Sequence, residues 1–177
     1  MPLNSEPVIR KSVLTDLPGI LEIYNDAILN TTALYRYEPM TLPMVEQWFD
    51  DKTVKGLPIF IADVGGRVAG FASYGSFRPW PAYKYTVEHS IYVHKDCRGK
   101  GLAKKLLGTL IDHAAADNLH TIVAGIDSEN HVSIGLHRRF GFREVGHVSQ
   151  VGYKFGRWLD LVFMQLILEN NLQPNEK

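Results

Sequence analysis

The residues best suited to chemistry in this chain form the stretch Cys97-Arg98-Gly99-Lys100-Gly101-Leu102-Ala103. The stretch follows an apolar, strand-like run that ends at Val93 and precedes a strongly helical run that begins near Gly101. A helix N-terminus presents unpaired backbone N–H groups and a partial positive charge, and both favour phosphate oxygens. Gly99 and Gly101 carry no Cβ, so an anion can approach the main chain closely. Cationic side chains at 98, 100, 104 and 105 surround the same turn. The stretch therefore predicts a pyrophosphate-binding turn.

The turn lacks residues that some classes of phosphate-binding loop require. In a Walker A loop, Ser or Thr follows the Gly-Lys pair to hold magnesium, whereas here Gly101 follows Lys100. A Rossmann fingerprint needs a small residue where Lys104 stands, although Asp127 would suit the ribose-binding acid of that fold. The spacing Arg98-x-x-Gly101-x-Ala103 resembles the (Arg/Gln)-x-x-Gly-x-(Gly/Ala) loop of the GNAT superfamily of acyl-CoA-dependent N-acyltransferases. On the loop alone, the Rossmann turn, the GNAT turn and an ordinary glycine-rich turn with a solvated basic face all stay open.

Size and composition restrict the class of protein. A length of 177 residues favours one domain over 1–177, with its core at about 8–168. Nineteen basic residues balance nineteen acidic ones, so we expect no nucleic acid and no membrane as a partner. The sequence shows neither an apolar run of about eighteen residues nor a basic-then-apolar leader, which predicts no membrane span and no secretion. The single Cys97 suits a reducing cytoplasm, and we expect it to be a spectator thiol.

Hydrophobic periodicity and turn signals predict an α+β fold with a mixed, mostly antiparallel sheet. Strands are predicted at 8–14, 59–63, 68–74, 86–93, 121–126, 143–151 and 159–168. Helices are predicted at about 16–29, after a Thr41 cap, at 101–117 and at 132–140. The segment 86–126 reads as a β-α-β crossover, which is right-handed by default. The ends, 1–7 and 169–177, are polar, and we expect them to be frayed.

Two further motifs extend the resemblance over nearly the whole chain. The run from Asn130 to Phe142, an Asn followed by a helix that ends in Gly-Phe, resembles the second GNAT signature. Thr86-Val87-Glu88-His89-Ser90 and the segment 151–160 resemble the phosphinothricin N-acetyltransferase family, and most of all its members that act on methionine sulfoximine and methionine sulfone. The order β-α-α-β-β-β-α-β-α-β-β is also that of the GNAT acyltransferase fold, which has helices on both faces of its sheet.

The resemblance implies acetyl-CoA as the acyl donor. Main-chain groups of His89, Ser90 and Ile91 would pair with the pantetheine arm and polarise the acetyl carbonyl. The Asn130 amide would bind the same arm. The pyrophosphate would be held by backbone at Cys97, Arg98, Gly99, Lys100, Gly101 and Leu102. The histidines show no metal-ligand spacing, so no metal is predicted.

Two side chains are candidates for proton transfer. Glu88 is the predicted general base, since partial burial raises a carboxyl pKa and a water can relay the proton. Without the resemblance, a carboxylate at a strand end that pairs with a nearby Lys or Arg would be the simpler interpretation. His137 stands where many GNAT enzymes carry a Tyr proposed to protonate the leaving thiolate. Alternatively, the His137 side chain packs at the helix surface or donates a hydrogen bond to the pantetheine arm. The His89 side chain faces away from Glu88 on a regular strand and is predicted to be structural.

The predicted acceptor is a small amino acid, which presents a carboxylate beside its reacting amine. Arg78 is the best carboxylate clamp, with Arg36 as a second candidate, because guanidinium binds carboxylate in a bidentate manner. The resemblance places six residues around the substrate: Ser76, Phe77, Arg78, Thr86, Val87 and Glu88. It also implies a homodimer in which Lys154 and Phe155 reach the neighbouring subunit's site.

The predicted function is direct acetyl transfer to the α-amino group of phosphinothricin, methionine sulfoximine or methionine sulfone. One alternative is an acetyltransferase for a polyamine or a protein N-terminus, against which the arginine-bearing loop 76–80 argues. The other alternative is a non-catalytic acyl-CoA-binding module.

Overall fold

Among the residues that the structure describes, seven strands and four helices follow the predicted order. The computed structural model describes residues 6–169 and 174–175. Its elements are β1 (Val8–Lys11), α1 (Leu17–Asn30), α2 (Leu42–Val54), β2 (Ile59–Val64), β3 (Arg67–Ser76), β4 (Thr86–Val93), α3 (Leu102–Ala116), β5 (Thr121–Asp127), α4 (His131–Arg139), β6 (Arg143–Lys154) and β7 (Arg157–Ile167). The strands are hydrogen-bonded in the order β1-β2-β3-β4-β5-β7-β6. Most residues of the predicted frayed ends, 1–7 and 169–177, lie outside the described residues.

The first strand is shorter than predicted. We expected it to reach Leu14, but β1 ends at Lys11 and a short 3₁₀ turn spans Leu14–Asp16. The cause is the buried carboxylate of Asp16, which accepts the backbone N–H of Val13 at 2.8 Å and binds Arg10 in a bidentate ion pair. These bonds hold the chain in a turn just before α1.

The chain forms two compact units, Met1–Tyr74 with Ser90–Leu110, and Gly75–His89 with Ile111–Lys177. In the first unit, β1, β2 and β3 pair in antiparallel fashion. Its core joins α1 and α2 to these strands, and Ile20, Val45 and Ile61 have no exposed surface. Burying such a side chain contributes about 1.5–3 kcal/mol. The sequence prediction of one domain over 1–177 stays a prediction.

The second unit contains a mixed group of strands. β4 pairs with β5 in parallel, with Thr86, Val87 and Glu88 opposite Thr121, Ile122 and Val123. β5 then pairs antiparallel with β7, which pairs antiparallel with β6. The pairs β1–β2, β2–β3, β5–β7 and β6–β7 are antiparallel and the pair β4–β5 is parallel, so the mostly antiparallel sheet is confirmed.

The last hairpin is longer and tighter than predicted. β6 runs to Lys154 and β7 starts at Arg157, so only Phe155 and Gly156 form the turn. Both have positive φ, 52° and 75°, which suits the right-handed twist of the flanking strands. A phenylalanine with positive φ is uncommon, so Phe155 is not a strong turn signal in the sequence.

Among the described residues, no helix is long and apolar enough to cross a bilayer.

Candidate active site

The glycine-rich turn lies in the first unit and leads into α3. Its two glycines adopt left-handed backbone, with φ of 77° at Gly99 and 76° at Gly101. No atom lies within 4 Å of the position that a Cβ would take at either residue. Backbone of this hand strongly favours glycine, and the open space above it leaves the main chain accessible to an anion. The turn thus meets the two conditions that the sequence set for a pyrophosphate site.

Two neighbours of these glycines are held by the protein itself. The Cys97 side chain is fully buried, and its backbone N–H donates to the His94 carbonyl at 2.8 Å. The Arg98 guanidinium contacts Asp26 on α1 at 3.2 Å and the Val93 carbonyl at 3.4 Å. Arg98 therefore ties the turn to α1. The amides that follow Cys97 are left as the candidates for a ligand.

Glu88 occupies the middle of β4 in the second unit, where it is half-buried. Its register partner is Val123 of β5, and β4 and β5 both continue beyond this pair, to Val93 and Asp127. Desolvation raises the pKa of the Glu88 carboxyl, and the positive charge of Arg78 opposes part of that rise. A carboxylate with a raised pKa is a better proton acceptor, which is the property required of a general base.

The absence of a side chain at Gly125 leaves space for the Glu88 carboxylate. A Cβ built at Gly125 would lie 3.2 Å from Glu88 Oε1 and 3.7 Å from the side chains of Leu161 and Phe163. An isolated glycine inside a strand often marks close approach of another group. That signal was present in the sequence, but the residue that approaches could not be named without the register of β4 and β5.

A pocket of about 350 Å³ opens on the same face of these strands. Side chains alternate along a strand, so Thr86 and Glu88 project from one face of β4. Thr86 lines the pocket, as do Thr121 and Val123 of β5 and Phe163 and Gln165 of β7. Volume and lining are those of a small-molecule site, largely apolar with a few polar groups. Sequence analysis missed Thr121 and Gln165, because strand pairing brings them to Thr86 across long separations in the chain.

Arg78, the predicted carboxylate clamp, also lines the pocket. Its guanidinium stacks on the Phe77 ring at 4.2 Å and donates to the Phe77 carbonyl at 2.9 Å. Backbone of Phe77 in turn donates to the Thr86 carbonyl at 3.3 Å. The loop cation is therefore held beside the pocket by bonds within the loop and to β4.

The other predicted substrate residues lie in different settings. Ser76 is exposed at the end of β3, and Val87 is buried on the face of β4 opposite Glu88. The second clamp candidate, Arg36, donates to the Glu38 carbonyl and does not line the pocket.

His137 is buried on α4, with 3% of its surface exposed, which excludes the alternative in which it packs at the helix surface. Its Nδ1 lies 2.7 Å from the Ser133 carbonyl oxygen and its Nε2 lies 3.0 Å from His89 Nε2. Burial lowers the pKa of both imidazoles, that of His89 to about 3. The prediction that His89 faces away from Glu88 agrees with its burial against α4.

Asn130 caps α4. Its Oδ1 accepts the Ser133 backbone N–H at 3.1 Å, which leaves the Nδ2 hydrogens as donors for another group. Within residues 6–169 and 174–175, no group of three or more His, Cys, Asp or Glu side chains is arranged to hold a metal ion.

Comparison with known proteins agrees with this fold and these motifs. Residues 20–142 match the Acetyltransferase (GNAT) family. An L-methionine sulfoximine/L-methionine sulfone acetyltransferase of Pseudomonas aeruginosa is 54% identical over 91% of this chain and 94% of its own length. A phosphinothricin N-acetyltransferase of Alcaligenes faecalis is 36% identical over 85% of this chain and 77% of its own.

A solved structure supplies the third comparison. It is a putative acetyltransferase of Salmonella typhimurium with its cofactor acetyl-CoA, superposes with a TM-score of 0.93 and is 43% identical, covering 97% of this chain and 99% of the other. Fold and motifs together define an acyltransferase. The chain belongs to the acetyltransferase (GNAT) family, and the resemblance drawn from its motifs is confirmed.

Proposed function

We propose that this enzyme transfers the acetyl group of acetyl-CoA to the α-amino group of a small amino acid. The preferred acceptors are methionine sulfone, methionine sulfoximine and phosphinothricin. The observation that carries the proposal is the half-buried Glu88 carboxylate, whose pKa is raised. It projects from the same face of β4 as Thr86, which lines the pocket of about 350 Å³ together with Arg78. The names of the relatives support the same acceptors.

The coenzyme would be bound mainly through the main chain. Backbone N–H groups from Arg98 to Leu102 face the pyrophosphate, because the left-handed glycines leave that surface uncovered. Main-chain groups of His89–Ile91 and the free Nδ2 hydrogens of Asn130 bind the pantetheine arm. When bound, acetyl-CoA supplies an activated thioester carbonyl, which a β4 backbone N–H polarises.

Glu88 acts as the general base. The α-amino group of an amino acid is protonated at neutral pH, and it must lose a proton before its nitrogen can attack a carbonyl. The Glu88 carboxylate accepts that proton directly or through one water, a contribution of about 10²–10⁴ in rate. The nitrogen forms the new amide bond as the carbon–sulfur bond breaks, and the second proton that the nitrogen loses neutralises the departing coenzyme A thiolate. Transfer is direct, because the thiol of Cys97 is fully buried and cannot serve as an acyl carrier.

Arg78 and the pocket select the acceptor. The guanidinium pairs with the α-carboxylate, which fixes the amine close to Glu88. The side chain of the acceptor enters the pocket, where the Thr86 and Thr121 hydroxyls and the Gln165 amide offer hydrogen bonds to sulfone, sulfoximine or phosphinate oxygens. Val123 and Phe163 contact its methylene groups.

The proposal extends to assembly and compartment. The tip of the β6–β7 hairpin exposes Phe155 and Trp158, with 57% and 58% of their surface accessible. We propose that this tip joins two copies of the chain in a homodimer, and that the enzyme works in the cytoplasm.

Release of coenzyme A thiol, measured over a panel of acceptors, tests the function. We expect rapid release with methionine sulfone, methionine sulfoximine and phosphinothricin, and slow release with spermidine or a peptide N-terminus. Rapid release with spermidine alone would instead support a polyamine acetyltransferase. Tight acetyl-CoA binding without release for any amine would make the protein a binding module.

A further inference from the structure

Two histidines of the second unit form a buried pair that the proposed chemistry does not use. His89 of β4 and His137 of α4 stack with their ring planes 17° apart, and their Nε2 atoms are 3.0 Å apart. Phe142 packs edge-on against both rings. His89 and His137 have 9% and 3% of their surface exposed. A separation of 3.0 Å between two ring nitrogens requires a proton between them.

The remaining contacts decide where that proton lies. His137 Nδ1 is 2.7 Å from the Ser133 carbonyl oxygen, which can only accept, so Nδ1 carries a hydrogen. In a neutral imidazole the other nitrogen then has only a lone pair, and His137 Nε2 is an acceptor. The shared proton must therefore belong to His89 Nε2. His89 Nδ1 becomes a bare lone pair, and it is a buried atom with no hydrogen-bond partner.

The Ser133 hydroxyl also lies 3.4 Å from His137 Nδ1. If it donated there, the bare Nδ1 lone pair would face the Ser133 carbonyl oxygen at 2.7 Å, which is repulsive. A further arrangement puts the proton on His137. His137 would carry hydrogens on both nitrogens and donate to His89 Nε2, which moves the His89 hydrogen to Nδ1. That state buries a positive charge and also leaves an N–H donor without a partner, and both are costly. An unpaired buried acceptor is tolerated more readily than an unpaired donor. The neutral arrangement is therefore the stable one.

We propose that His89 donates its Nε2 hydrogen to His137 in a locked neutral pair, and that His137 is a positioning residue that does not protonate the leaving thiolate. The positioning role of His137 in catalysis rests on the proposed function, whereas the assignment of the protons does not. His89 directly follows Glu88 and projects from the opposite face of β4, so the pair anchors the strand that carries the base to α4. Neither His137 nitrogen offers a proton to a ligand, because Nδ1–H is bound to Ser133 and Nε2 accepts from His89.

The low pKa of both rings agrees with this assignment. Burial lowers the pKa of His89 to about 3, with the neighbouring His137 as the second cause. Burial also lowers the pKa of His137, against an opposing effect of the hydrogen bond to Ser133. Each ring faces the other as a titratable neighbour, and Phe142 and Ser133 make further contacts with the pair.

Nitrogen NMR of the wild-type protein with ¹⁵N-histidine tests the assignment directly. We expect His137 to show a protonated Nδ1 and a bare Nε2, His89 to show the reverse, and neither ring to titrate between about pH 6 and 9. The exposed His120 supplies an internal reference signal. A protonated His137 Nε2, or titration of His137 within this range, would overturn the proposal.

Kinetics of the conservative variant test the consequence. His137→Gln keeps an acceptor for the His89 hydrogen but removes the titratable group, so we expect kcat within about tenfold of wild type and an unchanged pH profile. His137→Ala leaves the His89 donor unpaired, and we expect it to lose more kcat than His137→Gln. His120→Gln is the matched control and should match wild type.

A general acid gives a different kinetic result, since its removal costs about 10²–10⁴ in rate. A loss beyond tenfold in His137→Gln, or loss of the alkaline limb of its pH profile, would contradict the positioning role. The NMR experiment needs no acceptor, so it stays informative if no amine proves to be a substrate. Failure of the pair and failure of the proposed function are thereby told apart.

Discussion

Substitution of Gly125 by alanine would move the Glu88 carboxylate by a small, known amount. The added Cβ would lie 3.2 Å from Glu88 Oε1, where ordinary contacts begin at 3.4 Å, so the carboxylate must retreat by a few tenths of an ångström. A misplacement of about 1 Å at a reacting centre can cost about 10²-fold in rate. On a logarithmic scale, a few tenths of an ångström corresponds to a loss of about three- to tenfold in kcat.

Folding should not suffer from this change. The new methyl group would meet Leu161 and Phe163 at 3.7 Å, which is ordinary van der Waals contact. Glycine inside a strand costs about 0.5–1 kcal/mol relative to alanine, so the variant should be as stable as wild type or slightly more stable. Gly135→Ala on α4 is the matched control, because nothing lies within 4 Å of its new methyl group and kcat should stay unchanged.

Steady-state kinetics with methionine sulfone and urea unfolding of both variants measure these effects. The expected result is a kcat loss confined to Gly125→Ala, with the KM for acetyl-CoA unchanged in both. An unchanged kcat in a stably folded Gly125→Ala protein would show that the position of the Glu88 carboxylate does not control the rate, and the assignment of the base would be refuted.

Three further predictions concern the acceptor, the turn and acid stability. Arg78→Ala should raise the KM for the amino acid by about tenfold or more, as expected for a charged hydrogen-bonded pair. It should also move the acidic limb of the kcat/KM profile to higher pH, because Arg78 lowers the pKa of Glu88. An unchanged pH profile would place Arg78 outside the site. Gly101→Ala forces a side chain onto backbone with φ of 76°, so the free energy of unfolding should fall by about 1–2 kcal/mol. Calorimetry should also show weaker acetyl-CoA binding. Wild-type affinity for acetyl-CoA would show that this turn does not bind the pyrophosphate. The pKa values of His89 and His137 are low in the folded protein, so below about pH 6.5 the unfolded state binds protons that the folded state does not. Urea unfolding should therefore show the free energy of unfolding falling between pH 7 and 5, by up to about 1.4 kcal/mol per pH unit for each histidine. The loss due to His89 continues to about pH 3, and a free energy of unfolding that rises on acidification would contradict this prediction.

Local pattern was enough to predict most of the fold. Strand β4 has the predicted bounds, and α3 and β5 differ from prediction by one residue at their ends. These elements have clear apolar periodicity and glycine or polar punctuation, which are signals that a short window of sequence contains. The Phe155–Gly156 turn lies inside the predicted connection, 152–158, which was too long because only the pairing of β6 and β7 reveals which two residues are left over.

The site could be predicted only in part. Glu88, Arg78 and the turn around Gly99 could be predicted because they lie in contiguous segments that resemble those of a known family. Thr121, Gly125 and Gln165 could not be found in this way, because their roles arise from strand register between segments far apart in the chain. The same is true of the contact between His89 and His137, which depends on the docking of a helix against a strand.

Replacement of Glu88 by glutamine tests the central claim most directly. The amide has nearly the same shape as the carboxylate but cannot take a proton, so the account predicts a loss of about 10²–10⁴ in kcat at neutral pH, with acetyl-CoA affinity by calorimetry equal to that of wild type. Glu46→Gln on the exposed side of α2 is the control and should keep full activity. Wild-type turnover in Glu88→Gln would contradict the account.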